Sequence, residues 1–182
     1  LLSGILSIYA IMNGNIELAA YLIFVAAGFD FLDGLAARLL NAKSAMGAEL
    51  DSLADVVSFG VAPGFIMFYM LSVSHGQPGH TAENFSIIPF LAFVIPAFGA
   101  LRLAKFNVDT EQTTSFRGLP IPAMAILVAS LPLIRSFLYE EKAFFYMIIT
   151  NTYFLLAIAI VGSILMVSRF PMFSLKFVGI RF

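Results

Sequence analysis

Four aspartates fall at helical spacings between apolar stretches of the sequence, where ionised side chains are costly. Asp30 and Asp33 are three residues apart, which places both side chains on one face of a helix. Asp51 and Asp55 are four residues apart and share a face in the same way. The short connection between the two segments predicts antiparallel neighbouring helices, so the four carboxylates can converge at one depth. Glu49, two positions before Asp51, is predicted to point away from them.

Such a cluster needs a positive partner, because an isolated ionised group in apolar surroundings is very costly. Divalent cations that prefer carboxylate oxygens, such as Mg²⁺ or Mn²⁺, are the natural candidates. One alternative is that the acids pair with Arg38, Lys43 and Arg102. A second alternative is a proton or cation relay, since acids within membranes often mark ion pathways.

Two glycines and an arginine lie among the aspartates. Gly34 directly follows Asp33, and Gly47 precedes Asp51 by four positions. A glycine in a helix costs about 1 kcal/mol relative to alanine, so its presence indicates the close approach of a backbone or a ligand. Arg38, one turn beyond Gly34, is placed to meet an anion. Metal ions, an arginine and open space suit a diphosphate group, with one carboxylate left to accept a proton. The alternative of a proton or cation relay does not explain the glycines.

The composition is that of an integral membrane protein. Of the 182 residues, 60% are hydrophobic and 12% are charged, whereas soluble domains carry about 25% charged residues. Cysteine is absent, which excludes disulfides and thiol chemistry. The net charge of −1 gives no indication of a nucleic-acid partner.

The apolar runs predict an all-α bundle of six transmembrane helices, because lipid tolerates helices or closed barrels and these runs lack the alternation of barrel strands. The predicted spans are Leu1–Met12, Ile16–Leu40, Ala48–Val73, Phe85–Asn107, Leu119–Leu138 and Ala143–Val167. The first is shorter than the roughly 20 residues that a span needs, and we expect it to be the end of a helix that begins upstream. The domain prediction is a single catalytic unit over residues 1–168, followed by a basic interfacial tail over residues 169–182.

The basic residues predict the orientation of this bundle. Eight of the ten fall on the side that carries the aspartates, namely Arg38, Lys43, Arg102, Lys105, Arg117, Arg169, Lys176 and Arg181. The opposite side has Arg135 and Lys142. Cytoplasmic loops carry an excess of Lys and Arg, so the aspartates are predicted to face the cytoplasm.

Written out, residues 30–55 read D-x2-D-G-x2-A-R-x8-G-x3-D-x3-D. This pattern resembles the signature of the CDP-alcohol phosphotransferases, membrane enzymes of phospholipid synthesis. All eight specified positions are present, namely Asp30, Asp33, Gly34, Ala37, Arg38, Gly47, Asp51 and Asp55.

The resemblance implies six transmembrane helices, a homodimer and an active site open to the cytoplasm, in the inner membrane of a cell. It implies that the aspartates hold two divalent cations, Mg²⁺ or Mn²⁺, and that Asp55 is also the general base. It further implies that Gly34, Ala37, Arg38 and Gly47 line the site of the CDP-lipid. The resemblance also implies that part of the nucleotide contact comes from residues at the start of the first helix, which we expect to lie upstream of this sequence.

Four further stretches of the sequence narrow the choice of the acceptor alcohol. They are SFGVAP (58–63), ALRLAKFN (100–107), FRGLPIPA (116–123) and SRFPMFSLKF (168–177), and together they are similar to the CDP-diacylglycerol–serine O-phosphatidyltransferases. This similarity implies CDP-diacylglycerol and L-serine as substrates and CMP as a product. The carboxylate of serine needs a cationic partner, for which Arg102, Lys105 and Arg117 are the candidates. Acceptors such as glycerol 3-phosphate or an inositol phosphate, and an archaeal ether lipid as the donor, are alternatives.

Overall fold

The computed structural model describes residues 1–40, 44–74, 86–108, 118–138 and 143–168, and all regular structure in these ranges is helical. The all-α prediction is therefore confirmed for this part of the chain. The α-helices are α1 (Leu2–Met12), α2 (Ile16–Leu39), α3 (Ala45–Asp55), α4 (Ala62–Ser74), α5 (Val94–Val108), α6 (Ile121–Leu138), α7 (Ala143–Ile149) and α8 (Thr152–Val167). A π-helical segment (Val56–Val61) joins α3 to α4, and a 3₁₀ helix (Ile88–Phe93) leads into α5.

Helices α1 and α2 form an antiparallel pair. Gly14 makes the tight turn between them with a φ of 76°, which glycine adopts without steric cost. Asn15 caps α2 by accepting a hydrogen bond from the N–H of Leu18 at 3.0 Å. Along the pair, Ser7 donates from Oγ to the carbonyl of Ala19 at 2.9 Å. The hairpin therefore holds the far end of α2, which carries the first two aspartates, in a defined position.

The second half of the acidic motif lies in α3, which continues without interruption through the π-helical segment into α4. Pro63 has no N–H, so it cannot supply the α-helical hydrogen bond to the residue four positions earlier. Just before it the backbone is wider, and the N–H of Ala62 donates to the carbonyl of Val57, five residues back. The glycines of this region allow close packing, because a Cβ added at Gly64 would lie 2.9 Å from Cδ of Pro96 in α5. The sequence GVAPG (60–64) predicts a kink or a close helix contact, and the close contact is confirmed.

The prediction of one helix over Ala143–Val167 is wrong. The chain breaks at Thr150 and Asn151, and the Asn151 side chain accepts hydrogen bonds from the N–H groups of Tyr153 and Phe154 at 2.9 and 3.2 Å. Asparagine is a strong N-cap because its side chain satisfies donors that the first helical turn leaves unpaired, so a second helix begins here.

Polar contacts tie the later helices to the rest of the bundle. Thr152 contacts Ser74 of α4 through their hydroxyl oxygens at 3.0 Å. At the other end of α8, the N–H of Leu119 donates to the carbonyl of Leu165 at 3.0 Å. This contact joins the start of α6 to the end of α8.

Within the described ranges, four helices are long and apolar enough to cross a membrane, which agrees with an integral membrane protein. They are Ile16–Leu39, Met46–Ser74, Ile88–Lys105 and Ile121–Leu138. The shorter apolar helices Leu2–Met12 and Thr152–Val167 occupy the places of the first and sixth predicted spans. A bilayer core of about 30 Å needs roughly 20 helical residues, so by length the described helices provide four of the six predicted spans.

Candidate active site

The two halves of the acidic motif meet where the end of α2 faces α3. Asp30 comes from α2, and Asp51 and Asp55 come from α3. One carboxylate oxygen of each lies within 4.8 Å of the other two. Asp33, the fourth aspartate, is exposed and lies close enough to the other three for their negative charges to repel. The convergence predicted from the spacing is therefore confirmed for Asp30, Asp51 and Asp55, whereas Asp33 lines the same cavity outside this cluster.

These carboxylates form one wall of a cavity of about 390 Å³. The remaining walls come from the first residues of α1, from α2 and from the π-helical segment. The lining residues are Leu1, Leu2, Ser3, Ala26, Phe29, Asp30, Asp33, Asp51, Ala54, Asp55, Ser58 and Phe59. Acidic groups on one side and apolar side chains on the other suit an amphiphilic ligand with a polar head.

The cluster has the donor set of a divalent-cation site. Within the described ranges, none of the four carboxylates forms an ion pair with Lys or Arg. Arg38, one of the bases of the pairing alternative, makes no ion pair with them, and its Nε donates to the carbonyl of Gly34 in its own helix at 2.9 Å. Three carboxylate oxygens so close together repel one another strongly unless a cation or a shared proton lies between them. Carboxylate oxygens are the ligands that Mg²⁺ and Mn²⁺ prefer, so the residues present fit such an ion.

The residues predicted to contact the CDP-lipid lie beside this cavity and are not part of its wall. Gly34 and Ala37 are half-buried, while Arg38 is exposed on the turn of α2 that follows the aspartates. A Cβ at Gly34 would lie 3.9 Å from a terminal nitrogen of Arg38. The open position at Gly34 therefore borders the arginine side chain.

Gly47 lies in the first turn of α3 and has a local structural role. Its N–H donates to Oγ of the N-cap residue Ser44 at 3.0 Å. A Cβ on Gly47 would approach the same oxygen to 3.0 Å. The glycine thus permits close capping of the helix that carries Asp51 and Asp55.

Arg102, one of the cations predicted to bind the acceptor, lies close to Asp55. It is half-buried in α5, within electrostatic range of Asp55, and its Nε is shielded from water without a hydrogen-bond partner. Lys105, one turn later, is exposed. Arg117 lies outside the described residues, as do Lys43 and the tail over residues 169–182. Glu49 is exposed and is not part of the carboxylate cluster, as predicted.

Ser58 lines the cavity and was not predicted as a site residue. It lies in the π-helical segment, is only 2% exposed, and its Oγ has no hydrogen-bond partner. The signal in the sequence was a serine three positions after Asp55 within an apolar run. Its orientation toward the cavity depends on the π-helical backbone, which the spacing of apolar residues does not reveal.

Comparison with known sequences identifies the class of protein. The sequence model of the CDP-alcohol phosphatidyltransferase family matches residues 1–165. The chain therefore belongs to this family, and the resemblance read from residues 30–55 is confirmed.

Several individual proteins are similar to this chain over most of its length. The chain is 37% identical over 175 residues to a CDP-diacylglycerol–serine O-phosphatidyltransferase of Helicobacter pylori, covering 94% of this chain and 68% of the relative. It is 38% identical over 174 residues to the protein of the same name from Bacillus subtilis, covering 94% and 84% of the two chains. It is also 38% identical over 149 residues to an archaetidylserine synthase of Methanothermobacter thermautotrophicus, covering 80% and 59%.

Proposed function

We propose that this protein transfers a phosphatidyl group from CDP-diacylglycerol to L-serine and releases CMP. The observation that carries the proposal is the convergence of the four motif aspartates on one cavity, in a chain of the CDP-alcohol phosphatidyltransferase family. The names of the relatives from Helicobacter and Bacillus support serine as the acceptor.

The four aspartates hold two divalent cations, Mg²⁺ or Mn²⁺, in this proposal. When bound, these ions supply positive charge that offsets the charge of the diphosphate and of the departing CMP. The clustered oxygens of Asp30, Asp51 and Asp55 provide the centre of the site, and the exposed Asp33 completes it.

Arg38 binds the diphosphate beside this centre. Only its Nε is engaged, in the hydrogen bond to the carbonyl of Gly34. A guanidinium has five N–H donors in a planar fork, so the terminal nitrogens of Arg38 can still contact phosphate oxygens. Gly34, Ala37 and Gly47 leave the surrounding surface open to the nucleotide.

Asp55 acts as the general base. Its carboxylate accepts the proton of the serine hydroxyl, and the serine oxygen attacks the phosphorus that carries the diacylglycerol. The new bond joins that oxygen to phosphorus, while the bond from phosphorus to the CMP oxygen breaks. CMP leaves with the electron pair of that bond.

Arg102 holds the carboxylate of serine next to the base. Its half-buried guanidinium and unpartnered Nε lie near Asp55, where an anionic group of the acceptor would complete its hydrogen bonding. Lys105 and Arg117 are additional cations for the same carboxylate or for the phosphate of the product.

The membrane setting is part of the same proposal. The enzyme is a homodimer with six spans in the inner membrane, and its aspartates face the cytoplasm, where serine is dissolved. The position of Arg38, Arg102 and Lys105 at the aspartate end of the bundle supports this orientation. Residues 169–182 form an interfacial tail.

An ether lipid is a second candidate for the donor. The relative named archaetidylserine synthase covers four-fifths of this chain, and the apolar part of the cavity wall offers no group specific for an ester. The chemistry at phosphorus is the same in either case.

The first experiment is the release of CMP by purified protein with CDP-diacylglycerol and Mg²⁺ or Mn²⁺, adding one acceptor alcohol at a time. Release that requires serine and stops with EDTA is the expected result. Release with glycerol 3-phosphate or an inositol phosphate but not serine would overturn the acceptor and leave the site intact. Absence of release with every acceptor and both donor lipids, from a chain that still binds them, would overturn the proposed reaction.

A further inference from the structure

A second cavity lies at the end of the bundle opposite the aspartates. It measures about 220 Å³ and is lined by Met70, Val73, Ser74, Arg135, Tyr146 and Thr150. We propose that it binds the phosphodiester group of an anionic phospholipid from the leaflet opposite the active site, one whose headgroup carries hydrogen-bond donors.

Arg135 provides the positive charge for this site. It lies in the last turn of α6 and is half-buried. No described residue forms an ion pair or hydrogen bond with its guanidinium. Because Arg135 lines the cavity, its guanidinium can meet a ligand there, and a planar guanidinium matches a phosphate group with two parallel hydrogen bonds. An anion is therefore the ligand that fits this side chain.

The hydroxyl groups of the cavity point to a headgroup that donates hydrogen bonds. Thr150 already donates from Oγ1 to the carbonyl of Tyr146 at 2.8 Å, and Ser74 donates from Oγ to the carbonyl of Leu71 at 3.0 Å. Each hydroxyl has one proton, so the Thr150 oxygen presents acceptor capacity to a ligand, while the Ser74 oxygen also lies 3.0 Å from the Thr152 hydroxyl and keeps one further lone pair. A glycerol or ammonium headgroup can use these acceptors, whereas phosphatidylcholine carries no hydrogen-bond donor and phosphatidic acid carries at most the single P–OH of its phosphate.

The depth of the cavity favours a lipid over a soluble anion. Helix α6 is long enough to span the membrane and Arg135 is in its final turn, which places the guanidinium at headgroup level. Phe137, two residues later, is 74% exposed on the outside of the bundle. Met70 and Val73 give the cavity an apolar side, so a diacyl lipid can contact apolar surface while its phosphate meets Arg135.

The test is thermal unfolding of the purified protein in neutral detergent, titrated with phosphatidylglycerol, phosphatidic acid, phosphatidylcholine or inorganic phosphate. A ligand that binds only the folded state raises Tm. We expect phosphatidylglycerol to raise Tm by several degrees and the other three to have less effect. Native mass spectrometry should show one more retained phosphatidylglycerol on the wild type than on Arg135→Gln.

Variants of the cavity residues distinguish lipid binding at this cavity from binding at the active site. Arg135→Gln should lose the rise in Tm with phosphatidylglycerol but keep stabilisation by CDP-diacylglycerol with Mg²⁺, which also shows that the variant is folded. Arg135→Lys should keep part of the effect, and Thr150→Val should reduce the preference for phosphatidylglycerol over phosphatidic acid. Ser136→Ala, an exposed neighbour that does not line the cavity, is the matched control and should behave as the wild type.

Three outcomes overturn the proposal. The first is a rise in Tm with phosphatidylglycerol that Arg135→Gln retains. The second is an equal rise with inorganic phosphate, which keeps the phosphate chemistry but removes the lipid. The third is no effect of phosphatidylglycerol on the wild type, and an effect on Glu140→Gln/Glu141→Gln in that case would assign Arg135 to those two acids of the connection 139–142, outside the described residues.

Discussion

Asp55 differs from the other aspartates in lying where α3 passes into the π-helical segment. It is half-buried, whereas Asp51, one turn earlier, is exposed. It is also the aspartate within electrostatic range of Arg102. These two features place it at the inner end of the cluster, where a serine bound by Arg102 would present its hydroxyl.

Asp55→Asn should therefore abolish turnover while leaving much of the binding of CDP-diacylglycerol. Asparagine has nearly the same shape but cannot accept the proton, and the loss of a general base typically lowers the rate by about 10²–10⁴-fold. The measurement is CMP release alongside binding of the CDP-lipid. Glu49→Gln removes an acid outside the cluster and should retain activity. Full activity of Asp55→Asn would remove Asp55 as the base.

Arg102→Ala should raise KM for serine by at least about tenfold while changing affinity for CDP-diacylglycerol little. The expected loss corresponds to a charge-assisted hydrogen bond of about 1.5–3 kcal/mol. Steady-state kinetics with each substrate varied in turn gives KM for serine and KM for CDP-diacylglycerol separately. Arg102→Lys should recover part of the loss because it keeps the charge. Lys105→Ala is the comparison, and a larger effect there would transfer the serine carboxylate to Lys105.

At the scale of elements, the position of α1 against the π-helical segment shapes the active-site cavity. A Cβ on Gly4 would lie 2.7 Å from Cα of Ser58, closer than real Cβ atoms come to backbone. Glycine is required here because the two backbones touch. The contact brings Leu1, Leu2 and Ser3 to the cavity wall beside the carboxylates.

Gly4→Ala should separate α1 from the π-helical segment. Overpacking of this kind costs about 1–3 kcal/mol, so Tm should fall and KM for CDP-diacylglycerol should rise. Gly28→Ala is the matched control, because a Cβ there meets nothing within 4 Å and alanine is favoured in a helix by about 1 kcal/mol. Equal behaviour of the two variants in both measurements would contradict the packing argument.

At the scale of the whole molecule, charge is concentrated at one end of an apolar bundle. Four aspartates from two helices line one cavity there. The described part of the chain supplies no basic side chain in ion-pair contact with them. The fold therefore holds carboxylates together that would separate if they were free to do so. Divalent cations should stabilise the folded protein as well as support its chemistry.

EDTA should abolish activity and lower Tm, and added Mg²⁺ or Mn²⁺ should restore both. Asp30→Asn removes one of the repelling charges, so this variant should be inactive yet have a higher Tm in EDTA than the wild type. Thermal unfolding with and without Mg²⁺ measures the effect, and Glu49→Gln again controls for the loss of an acid. An unchanged Tm on chelation of the wild type would contradict the metal site.

Local patterns in the sequence determined the all-α class, the membrane character and the four aspartates of the site. Helical spacing, apolar runs and turn residues are properties of neighbouring residues, so they can be read before any contact between distant segments is known. The same patterns indicated a kink or a close helix contact at GVAPG, because proline and glycine act locally on the backbone. They did not reveal the break before α8, since Thr150, Asn151 and Thr152 form a short polar interruption of a long apolar run, which does not by itself identify Asn151 as an N-cap.

Only the tertiary structure decided which residues complete the two cavities. Ser58 faces the carboxylates because the backbone after Asp55 is π-helical and α1 packs against it through Gly4. The second cavity combines residues of α4, α6 and α7 with Thr150, which no local pattern connects. Such groupings depend on contacts between segments far apart in the chain, and these contacts are set by the packing of the whole bundle.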